Sequence, residues 1–492
     1  MKLEQLLQQI DYKCIQGSID CDVPQLILDS RQADITYGAL FFCIPGANFD
    51  GHDFAPAMAE KGATVFVVSR PIPGLPKEAT VVLVEDTRYA MAHISAAWFG
   101  HPAKKLKVIG ITGTKGKTTT TYLVKSILEN AGRKVGLVGT IETIIGQKHI
   151  PAKNTTPESY LLQQTFAEMV EAGLDTVVME VSSQALMQHR TQGFVFDFGI
   201  FTNLSADHIG PNEHGSFEEY AACKALLFKQ CKVGIVNGDD SNVELITRAH
   251  TCKLETYGLG HHNDLQAKDL TLDKDPGALG ISFRVDGLTQ MDVTVPTPGR
   301  FSVYNALCAV AICRHFDVPK DKVRSSLAKA KVKGRIEKVD ISDKFTLLID
   351  YAHNAMSLQS LLETLKEYQP GRLVCLFGCG GNRAKSRRYE MGEVSGNLAD
   401  LTVITSDNPR FEKPLDIIED IKVGIQKTDG KYMEIPDRRQ AIGYVIENAR
   451  EGDLIVLAGK GHEDYQEIEG VKYPMDERII IQELLDGGLH HI

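Results

Sequence analysis

Several features that would place this chain in a membrane, secreted or nucleic-acid-binding class are missing from it. No apolar run reaches the roughly 18 residues that a membrane-spanning helix needs. The N-terminal stretch MKLEQLLQQIDY has acidic residues and glutamines where a signal peptide has a continuous apolar core. The formal net charge is −10, so the chain has no cationic excess for a nucleic-acid backbone. We therefore expect a cytoplasmic protein with no membrane span and no nucleic-acid partner.

The cysteines do not form a pattern that would bind a metal. All ten are scattered, and none belongs to a C-x-x-C pair. This argues for free thiols in a reducing compartment and against a zinc site. Repeats and low-complexity tracts are also absent, and the hydrophobic share of 43% is ordinary for a globular protein. The 492 residues are enough for roughly two to four domains.

Short apolar runs alternate with helical patterns along the whole chain. Runs such as KVIGIT, TVVMEVSS and FGIFTNLS are typical of buried parallel strands. The alternation predicts an α/β fold whose parallel sheets carry helices on both faces. We expect three domains: an N-terminal α/β domain over residues 1–100, a central P-loop-type domain over 101–333 and a C-terminal Rossmann-like domain over 334–492. The runs LGISFRVDG and QMDVTVPTPG predict a hairpin appended to the central sheet.

A phosphate-binding loop is predicted where the chain reads VIGITGTKGKTTTTYLV. The usual template needs a glycine at position 111, but Ile111 stands there, so the loop G-T-K-G-K-T is shortened. A strand, a glycine-rich turn and a helix N-terminus still direct backbone N–H groups at an anion. Lys117 would reach the outer phosphates and the Thr118 hydroxyl would hold Mg²⁺. The pattern favours a protein that uses ATP or GTP.

Two further residues could complete a metal site. Glu180 ends a hydrophobic strand, at the sheet edge where α/β proteins bind ligands; the alternative is a solvated strand end. A capping box of Ser216 and Glu219 predicts a helix from residue 217, and Lys224 falls on its apolar face. A lysine there must extend to water, find a partner or lose its charge. A neutral amine can add CO₂ and become a carbamate, which is an oxygen ligand for Mg²⁺.

Taken together, these motifs resemble the Mur ligases of bacterial cell-wall synthesis. The loop matches the family pattern G-T-x-G-K-T/S, and the resemblance continues in order through NTTPES, MEVSSQAL, FTNLSADH, YAACK, GRIE, DYAH, FGCGGNR, DNPR and AGKGHEDYQ. It covers essentially the whole chain. It implies that ATP converts a carboxylate of a UDP-N-acetylmuramoyl-dipeptide into an acyl phosphate, which the amine of an amino acid then attacks. It also implies two Mg²⁺ ions, one on Thr118 and Glu180 and one on carbamylated Lys224 and His208.

The resemblance assigns further residues motif by motif. Catalytic roles fall to Lys117, Lys224, His208 and Glu180. ATP contacts fall to Gly113, Thr114, Lys115, Gly116, Lys117, Thr118, Thr119, Asn305, Arg335 and Asp350. The UDP-muramoyl-dipeptide would contact Ser30, Asn48, Asn154, Thr155, Thr156, Ser182, Gln188 and Arg190. An incoming diaminopimelate would contact Arg388, Asp407, Asn408, Pro409, Arg410, Gly459 and Glu463. Small molecules are thus the expected partners, and we expect a monomer.

The stretch SDNPRFEKP bears on which amino acid is added. Meso-diaminopimelate ends in a second ammonium and carboxylate, whereas L-lysine ends in an ammonium alone. Arg410 can hold that carboxylate with two parallel hydrogen bonds, and Glu463 can accept the ammonium. D-N-P-R is also the diaminopimelate signature of the family.

Some positions depart from the family pattern. Gln184 stands where a histidine is usual, and Asn354-Ala355-Met356 replaces T-P-D. They leave open the same ligation with L-lysine or another amino acid, or a ligase similar to folylpolyglutamate synthetase. A third alternative, a nucleotide-binding regulatory module without ligase activity, conflicts with the intact set of Lys117, Glu180, Lys224 and His208.

Overall fold

The computed structural model describes residues 1–46, 49–206, 214–273 and 278–487. The chain divides into two compact units, one made of residues 1–265 and 308–319 and the other of residues 266–307 and 320–492. Strands and helices alternate over much of the chain, and most neighbouring strands in the large sheets are parallel. The α/β class predicted from the sequence is therefore confirmed. The division into three domains stays a prediction.

The first hundred residues form a small α/β sheet of their own. Its elements are α1 (Leu3–Leu6), β1 (Lys13–Gln16), β2 (Leu26–Ile27), β3 (Ala39–Phe42), α2 (Ala55–Glu60), β4 (Ala63–Val68), β5 (Thr80–Leu83) and α3 (Thr87–Trp98). The strand order is β1-β5-β4-β3-β2, with β1 antiparallel to β5 and the other pairs parallel. The strands β3 and β4 are buried almost throughout, as their continuous apolar sequences predict.

The following residues of this unit build a sheet around the phosphate-binding loop. Its elements are β6 (Lys107–Thr112), α4 (Lys117–Asn130), β7 (Val135–Val138), β8 (Glu142–Ile145), β9 (Lys148–Pro151), α5 (Ser159–Glu171), β10 (Thr176–Glu180), α6 (Ser183–Met187), β11 (Phe196–Phe201), α7 (Phe217–Ala225), β12 (Cys231–Asn237), α8 (Val243–Thr247) and β13 (Lys253–Gly258). Six strands run parallel in the order β13-β12-β11-β6-β10-β7, and β8 and β9 extend this sheet antiparallel. The carboxyl ends of β10, β6 and β11 are therefore neighbours, which is where α/β proteins collect ligands.

Two helices of this unit begin and pack as the sequence predicts. The helix α4 follows the loop directly and buries Leu123, Val124, Ile127 and Leu128 on one face. The helix α7 begins at Phe217, and the Ser216 hydroxyl accepts a hydrogen bond from the Glu219 amide at 3.1 Å.

The second unit holds the rest of the secondary structure. Its elements are β14 (Leu265–Leu272), β15 (Ile281–Gly287), β16 (Met291–Val295), α9 (Arg300–Cys313), α10 (Lys320–Ala328), β17 (Glu337–Val339), β18 (Thr346–Asp350), α11 (Ala355–Lys366), β19 (Arg372–Phe377), α12 (Lys385–Leu398), β20 (Leu401–Ile404), α13 (Pro414–Ile425), β21 (Tyr432–Glu434), α14 (Arg438–Glu447), β22 (Asp453–Ala458), β23 (Tyr465–Ile468), β24 (Val471–Pro474) and α15 (Glu477–Asp486). The strand β14 and the helix α9 each include residues of both units, because the unit boundaries fall after residues 265 and 307. The strands β15 and β16 pair antiparallel, so the predicted hairpin is confirmed.

The main sheet of the second unit collects three motifs at one edge. Its strand order is β17-β18-β22-β19-β20-β21, and all neighbours are parallel except β17. The carboxyl ends of β19, β20 and β22 lead into FGCGG, SDNPR and AGKGHE. Parallel strands bring these segments together although they are up to 80 residues apart in sequence. The antiparallel hairpin of β23 and β24, which the sequence patterns did not predict, follows the last motif.

Candidate active site

The phosphate-binding loop has a backbone that only glycine can adopt at its first position. Gly113 has φ of 146°, and a Cβ atom there would lie 1.9 Å from the Thr202 hydroxyl oxygen. Asn203, which follows β11, fixes the rest of the loop. Its carbonyl accepts the Thr114 amide and its side-chain oxygen accepts the Lys115 amide, both at 2.9 Å. The loop shape therefore depends on β11 as well as on its own glycines.

Lys117 lies against this loop. Its Nζ donates hydrogen bonds to the carbonyl oxygens of Gly113 at 2.8 Å and Thr114 at 3.1 Å. Gly116, with φ of 85°, precedes α4, and Thr119 lies half-buried in the first turn of that helix. The loop residues from Gly113 to Thr119 are thus assembled at one helix N-terminus, where a phosphate would be stabilised.

Glu180 meets Thr118 at the adjacent strand end, as the sheet order requires. The Thr118 hydroxyl donates to Glu180 Oε2 at 3.0 Å, and the carboxylate also accepts the amide and hydroxyl of Thr140 at 2.8 and 2.9 Å. Glu180 is buried. Carboxylate and hydroxyl oxygens suit Mg²⁺, so this donor set fits the predicted ion. Among the described residues no group of three or more His, Cys, Asp and Glu side chains forms a metal site.

Lys224 is buried beside the same loop. Its side chain is 2% exposed, and its Nζ donates to the Gly113 carbonyl at 3.0 Å and lies 4.4 Å from the centre of the Tyr220 ring. The Tyr220 hydroxyl is 3.1 Å from the Thr114 hydroxyl. Of the alternatives left open for Lys224, the side chain is buried and has a partner rather than extending to water, and Tyr220 joins it to the loop. His208, the other predicted ligand, lies outside the described residues.

The residues predicted to contact the muramoyl-dipeptide form one connected group after β10. The Thr156 hydroxyl donates to the Glu180 carbonyl at 2.9 Å and accepts the Ser182 amide at 3.0 Å. Arg190 donates to the Thr156 carbonyl at 2.9 Å and to the Gln188 side chain at 2.7 Å. Burial lowers the pKa of Arg190 against the opposing effect of a nearby carboxylate.

The other predicted contacts to this substrate are more dispersed. Thr155 shares a 3.1 Å hydrogen bond with the Thr140 hydroxyl, and Asn154 is exposed on the same segment. Ser30 is half-buried, and its carbonyl accepts the Lys61 ammonium at 3.2 Å. Asn48 lies outside the described residues.

Three predicted ATP contacts belong to the second unit. Asp350 ends β18, and its carboxylate accepts the amides of Ile336 and Ala352, each at 2.8 Å. Burial raises its pKa, although these amides and the Arg335 charge oppose the shift. The Arg335 guanidinium lies 4.6 Å from the centre of the Tyr351 ring. Asn305 is buried on α9.

The predicted amino-acid pocket is a hydrogen-bond network at the carboxyl ends of β20 and β22. Lys460 is 0% exposed, and its Nζ donates to Asn408 Oδ1 at 2.9 Å, Glu463 Oε2 at 3.0 Å and the Tyr465 carbonyl at 2.5 Å. Asn408 Nδ2 also donates to Glu463 Oε2, at 2.9 Å. Asp407 accepts the Asn408 amide at 2.7 Å. The network brings Asn408 and Glu463 together, and sequence reasoning did not single out Lys460, which holds both.

Arg410 lies at the rim of this network in an unusual backbone conformation. Its φ is 51°, in the left-handed region that non-glycine residues rarely adopt, and such strain is common at functional sites. Its guanidinium donates to Glu467 Oε2 at 3.2 Å and to the Gly381 carbonyl at 2.7 Å. Gly459 lies close to the same segment, since a Cβ atom on it would lie 2.9 Å from an Asp407 oxygen. Pro409 directly precedes Arg410 in the chain.

Arg388, which was predicted to contact diaminopimelate, is paired with carboxylates of the protein itself. Its side chain is buried, and it donates to Glu412 at 2.7 and 2.9 Å and to Asp420 at 2.8 Å. These bonds, led by the one to Glu412, raise the pKa of Arg388, while Arg388 holds the pKa of Glu412 at about 2. In this structure Arg388 pairs with internal carboxylates, so its contact with diaminopimelate stays a prediction.

A second buried ion pair supports the same edge and was not predicted. Arg438 at the start of α14 binds Glu477 at the start of α15, with 2.9 Å from Nε to Oε1. It also donates to the carbonyls of Ala458, the last residue of β22, at 2.9 Å and of Ser406, which follows β20, at 3.2 Å. The role of Arg438 was not predictable from local sequence, because it depends on contacts among four separate elements of the fold.

Two departures from the family pattern have structural roles. Asn354 caps α11 by accepting the Ser357 amide at 2.9 Å. Gln184 accepts a 3.5 Å hydrogen bond from the predicted substrate contact Gln188.

Comparison with known proteins agrees with this geometry. The profile described as "Mur ligase middle domain" matches residues 111–313, "Mur ligase, glutamate ligase domain" matches 334–461, and "Mur ligase family, catalytic domain" matches 27–99. A protein of Caldanaerobacter subterraneus subsp. tengcongensis is 43% identical over 487 residues and covers 99% of each chain. The chain belongs to the Mur ligase family. As a member of this family, it is an ATP-dependent ligase.

Two similar relatives of this Mur ligase carry the name of the same enzyme. The Caldanaerobacter protein and a 43% identical protein of Clostridium acetobutylicum, which covers 99% of each chain over 488 residues, are both named UDP-N-acetylmuramoyl-L-alanyl-D-glutamate–2,6-diaminopimelate ligase. A solved structure with the same name superposes with a TM-score of 0.73 at 28% identity and covers 100% of both chains. Folylpolyglutamate synthase of Mycobacterium tuberculosis, complexed with ADP and AMPPCP, has a TM-score of 0.59 at 18% identity and covers 76% of this chain and 92% of its own, which is a likeness of fold. No helix within the described part of this Mur ligase is long and apolar enough to cross a bilayer.

Proposed function

We propose that this Mur ligase adds meso-2,6-diaminopimelate to UDP-N-acetylmuramoyl-L-alanyl-D-glutamate during the synthesis of peptidoglycan precursors. ATP phosphorylates a carboxylate of the D-glutamyl residue, and ADP leaves. The amine of diaminopimelate attacks the resulting acyl phosphate, and the tetrahedral intermediate loses phosphate to form the amide. Relatives at 43% identity over the full length carry the name of this activity.

The observation that carries the choice of diaminopimelate is Arg410 beside the Asn408–Glu463 network. The Arg410 side chain is 25% exposed, and it donates hydrogen bonds from Nε to Glu467 and from Nη1 to the Gly381 carbonyl. Its other N–H groups suit a carboxylate, which prefers two parallel hydrogen bonds from one guanidinium. L-Lysine brings no carboxylate to the remaining N–H groups of Arg410 and would lose this charge-assisted contact, a difference of about 1–3 kcal/mol. Glu463 is the predicted acceptor for the second ammonium.

The first unit supplies the groups for phosphoryl transfer in this proposal. Lys117 would exchange its carbonyl partners for the outer phosphates of ATP, because an anion binds an ammonium more strongly than a neutral carbonyl does. The loop amides and the N-terminus of α4 would hold the remaining phosphate oxygens. Arg190 and its neighbours would bind the anionic muramoyl-dipeptide. Preorganised positive groups of this kind stabilise the charge that develops during the transfer.

The proposal also includes two sites for Mg²⁺. Thr118 and Glu180 would hold one Mg²⁺, and carbamylated Lys224 with His208 would hold a second. When bound, the ions would screen the repulsion between the phosphate and the carboxylate. The burial of Lys224 supports the carbamate, since removal from water favours the neutral amine that adds CO₂. Activity of Lys224→Ala should be lost and partly restored by acetate; a bare amine in the active enzyme would contradict the carbamate.

An amino-acid panel tests the proposed function. The purified protein receives ATP, Mg²⁺, the UDP-muramoyl-dipeptide and one of several amino acids, and the product mass identifies what was joined. We expect ADP release and a new product only with diaminopimelate. Arg410→Ala should reduce diaminopimelate use far more than lysine use. Equal turnover with L-lysine in the wild-type enzyme would refute the specificity, and a product with a folate substrate instead would assign the activity elsewhere.

A further inference from the structure

Glu467 is tied to Arg410 by both side chain and backbone. Its Oε2 accepts the Arg410 Nε at 3.2 Å, and its carbonyl accepts the Arg410 amide at 3.0 Å. Its own amide donates to Asn408 Oδ1 at 2.9 Å. The first strand of the hairpin therefore runs along the D-N-P-R segment, and backbone hydrogen bonds hold Arg410 and Glu467 beside each other.

The bonds to Arg410 leave one edge of its guanidinium available. Nε is used by Glu467 and Nη1 by the Gly381 carbonyl, while no described residue accepts a hydrogen bond from Nη2. On Glu467, Oε1 likewise accepts no hydrogen bond from any residue that the structure describes. Both side chains are 25% exposed. The pair thus presents donors and an acceptor, of opposite charge, next to each other.

A zwitterion is the ligand that matches such a pair. An α-amino acid group carries its carboxylate and its ammonium on one carbon, so the two charges are as close together as those of Arg410 and Glu467. With the carboxylate beside Arg410, and the ammonium beside Glu467 in the same pocket as Glu463, its predicted acceptor, the charges would alternate in sign. Lys460 and Glu463 form the neighbouring pair, but the Lys460 ammonium is buried and already has three acceptors.

We propose that Glu467 is a specificity-determining residue that restricts the pocket to amino acids whose side chain ends in a zwitterion. This inference rests on the proposed function. Glu467 repels a lone carboxylate at Arg410, and the ammonium of a zwitterion offsets that repulsion. It therefore selects against a side chain that ends in a carboxylate alone, a task that Arg410 cannot perform. Glu467 also keeps the free edge of Arg410 oriented for two parallel hydrogen bonds.

The test compares three amino acids that differ only at the far end. Meso-diaminopimelate has the ammonium and the carboxylate, 2-aminopimelate has the carboxylate alone, and L-lysine has the ammonium alone. The variant Glu467→Gln keeps the size and an acceptor for Arg410 Nε but removes the charge. Its matched control is Glu469→Gln on the same hairpin, since the Glu469 side chain is exposed and makes no hydrogen bond or ion pair with any described residue.

We expect kcat/KM of Glu467→Gln for diaminopimelate to fall roughly 10-fold to 100-fold through KM, which is the range for a lost charge-assisted contact. Turnover at saturation and the KM for ATP should stay within about threefold of wild type. The kcat/KM of this variant for 2-aminopimelate should stay constant or rise. The ratio of kcat/KM for diaminopimelate to that for 2-aminopimelate should therefore decrease at least tenfold. Glu469→Gln should behave as wild type, and Glu467→Asp should keep most of the preference.

Each other outcome counts against the proposal. Equal losses with diaminopimelate and 2-aminopimelate would mean that Glu467 only supports the fold of the pocket. A second contrary outcome is that Glu467→Gln keeps the wild-type preference for diaminopimelate over 2-aminopimelate while the wild-type enzyme is active on diaminopimelate. That result would show that the charge of Glu467 does not determine which amino acid is used. If the wild-type enzyme used no diaminopimelate at all, the proposed function would fail first, and the panel with wild-type enzyme reveals this separately.

Discussion

Replacement of Lys460 by methionine is the sharpest test of how the amino-acid pocket is held. The Lys460 ammonium has three acceptors at 2.9, 3.0 and 2.5 Å, and its side chain is fully buried. Methionine fills a similar volume but donates nothing. The change leaves Glu463 without its cation, although Asn408 still donates to the same oxygen at 2.9 Å.

The expected cost follows from these contacts. Removing one partner of a buried ion pair costs about 3–5 kcal/mol, because the other charge remains without compensation. Glu463 is 15% exposed and can recover some hydration, so we expect about 2–4 kcal/mol. For a folding unit of roughly 200 residues this corresponds to a decrease in Tm of about 4–16 °C.

The assay must report on the second unit. The single tryptophan, Trp98, lies in the first unit, so calorimetry and hydrogen exchange of β20 and β22 are better suited than tryptophan fluorescence. Glu463→Gln is measured alone and combined with Lys460→Met. We expect the double variant to be at least about 1 kcal/mol more stable than the sum of the single effects predicts, because it leaves no uncompensated carboxylate. A loss below about 1 kcal/mol, or additive effects, would refute the inferred role of Lys460.

Three further predictions concern other parts of the protein. Gly113→Ala should raise the KM for ATP by roughly 5-fold to 150-fold, since a side chain at φ of 146° is strained and meets Thr202; a wild-type KM would contradict this. Arg438→Met should destabilise the second unit by about 3–5 kcal/mol in calorimetry, because it strands the buried Glu477, whereas a change within experimental error would show the pair to be dispensable. Burial and neighbouring cations lower the pKa of His462 to about 3, so the folded state binds this proton more weakly than the unfolded state. The contribution of His462 to the free energy of unfolding is complete above about pH 6.5 and falls by about 1.4 kcal/mol per pH unit below it. His462→Gln should remove this pH dependence from urea-unfolding data between about pH 7.5 and 5.5. An unchanged pH dependence would mean that other groups cause it.

Local patterns were sufficient where the signal comes from neighbours in sequence. The glycine-rich loop predicted the helix α4 that follows it, and the capping residues Ser216 and Glu219 predicted the start of α7. Burial of Lys224 also followed from its position on the apolar face of that helix. Strands such as β6 and β10 were recognisable because strands buried on both faces are almost continuously apolar. The α/β class and the order of the motifs follow from these patterns alone.

The short hairpin of β23 and β24 was not recognisable. Its first strand is only half-buried and its second is exposed, so there is no apolar run to detect. Its role depends on its hydrogen bonds to the D-N-P-R segment, which lies more than 50 residues earlier in the chain. Side chains such as Asn203 and Arg438 were missed for the same reason, since each acts on residues from other strands.

The sequence by itself thus determined the fold class, many of the elements, the family and the types of chemical groups available, because these depend on local periodicity and on motifs. Only the tertiary structure decided which groups meet. The order β11-β6-β10 places Asn203, the loop and Glu180 side by side, and the parallel strands β20 and β22 bring Asn408 to Lys460. Strand order and the partner of each buried charge are set by long-range packing, which one-dimensional periodicity does not encode.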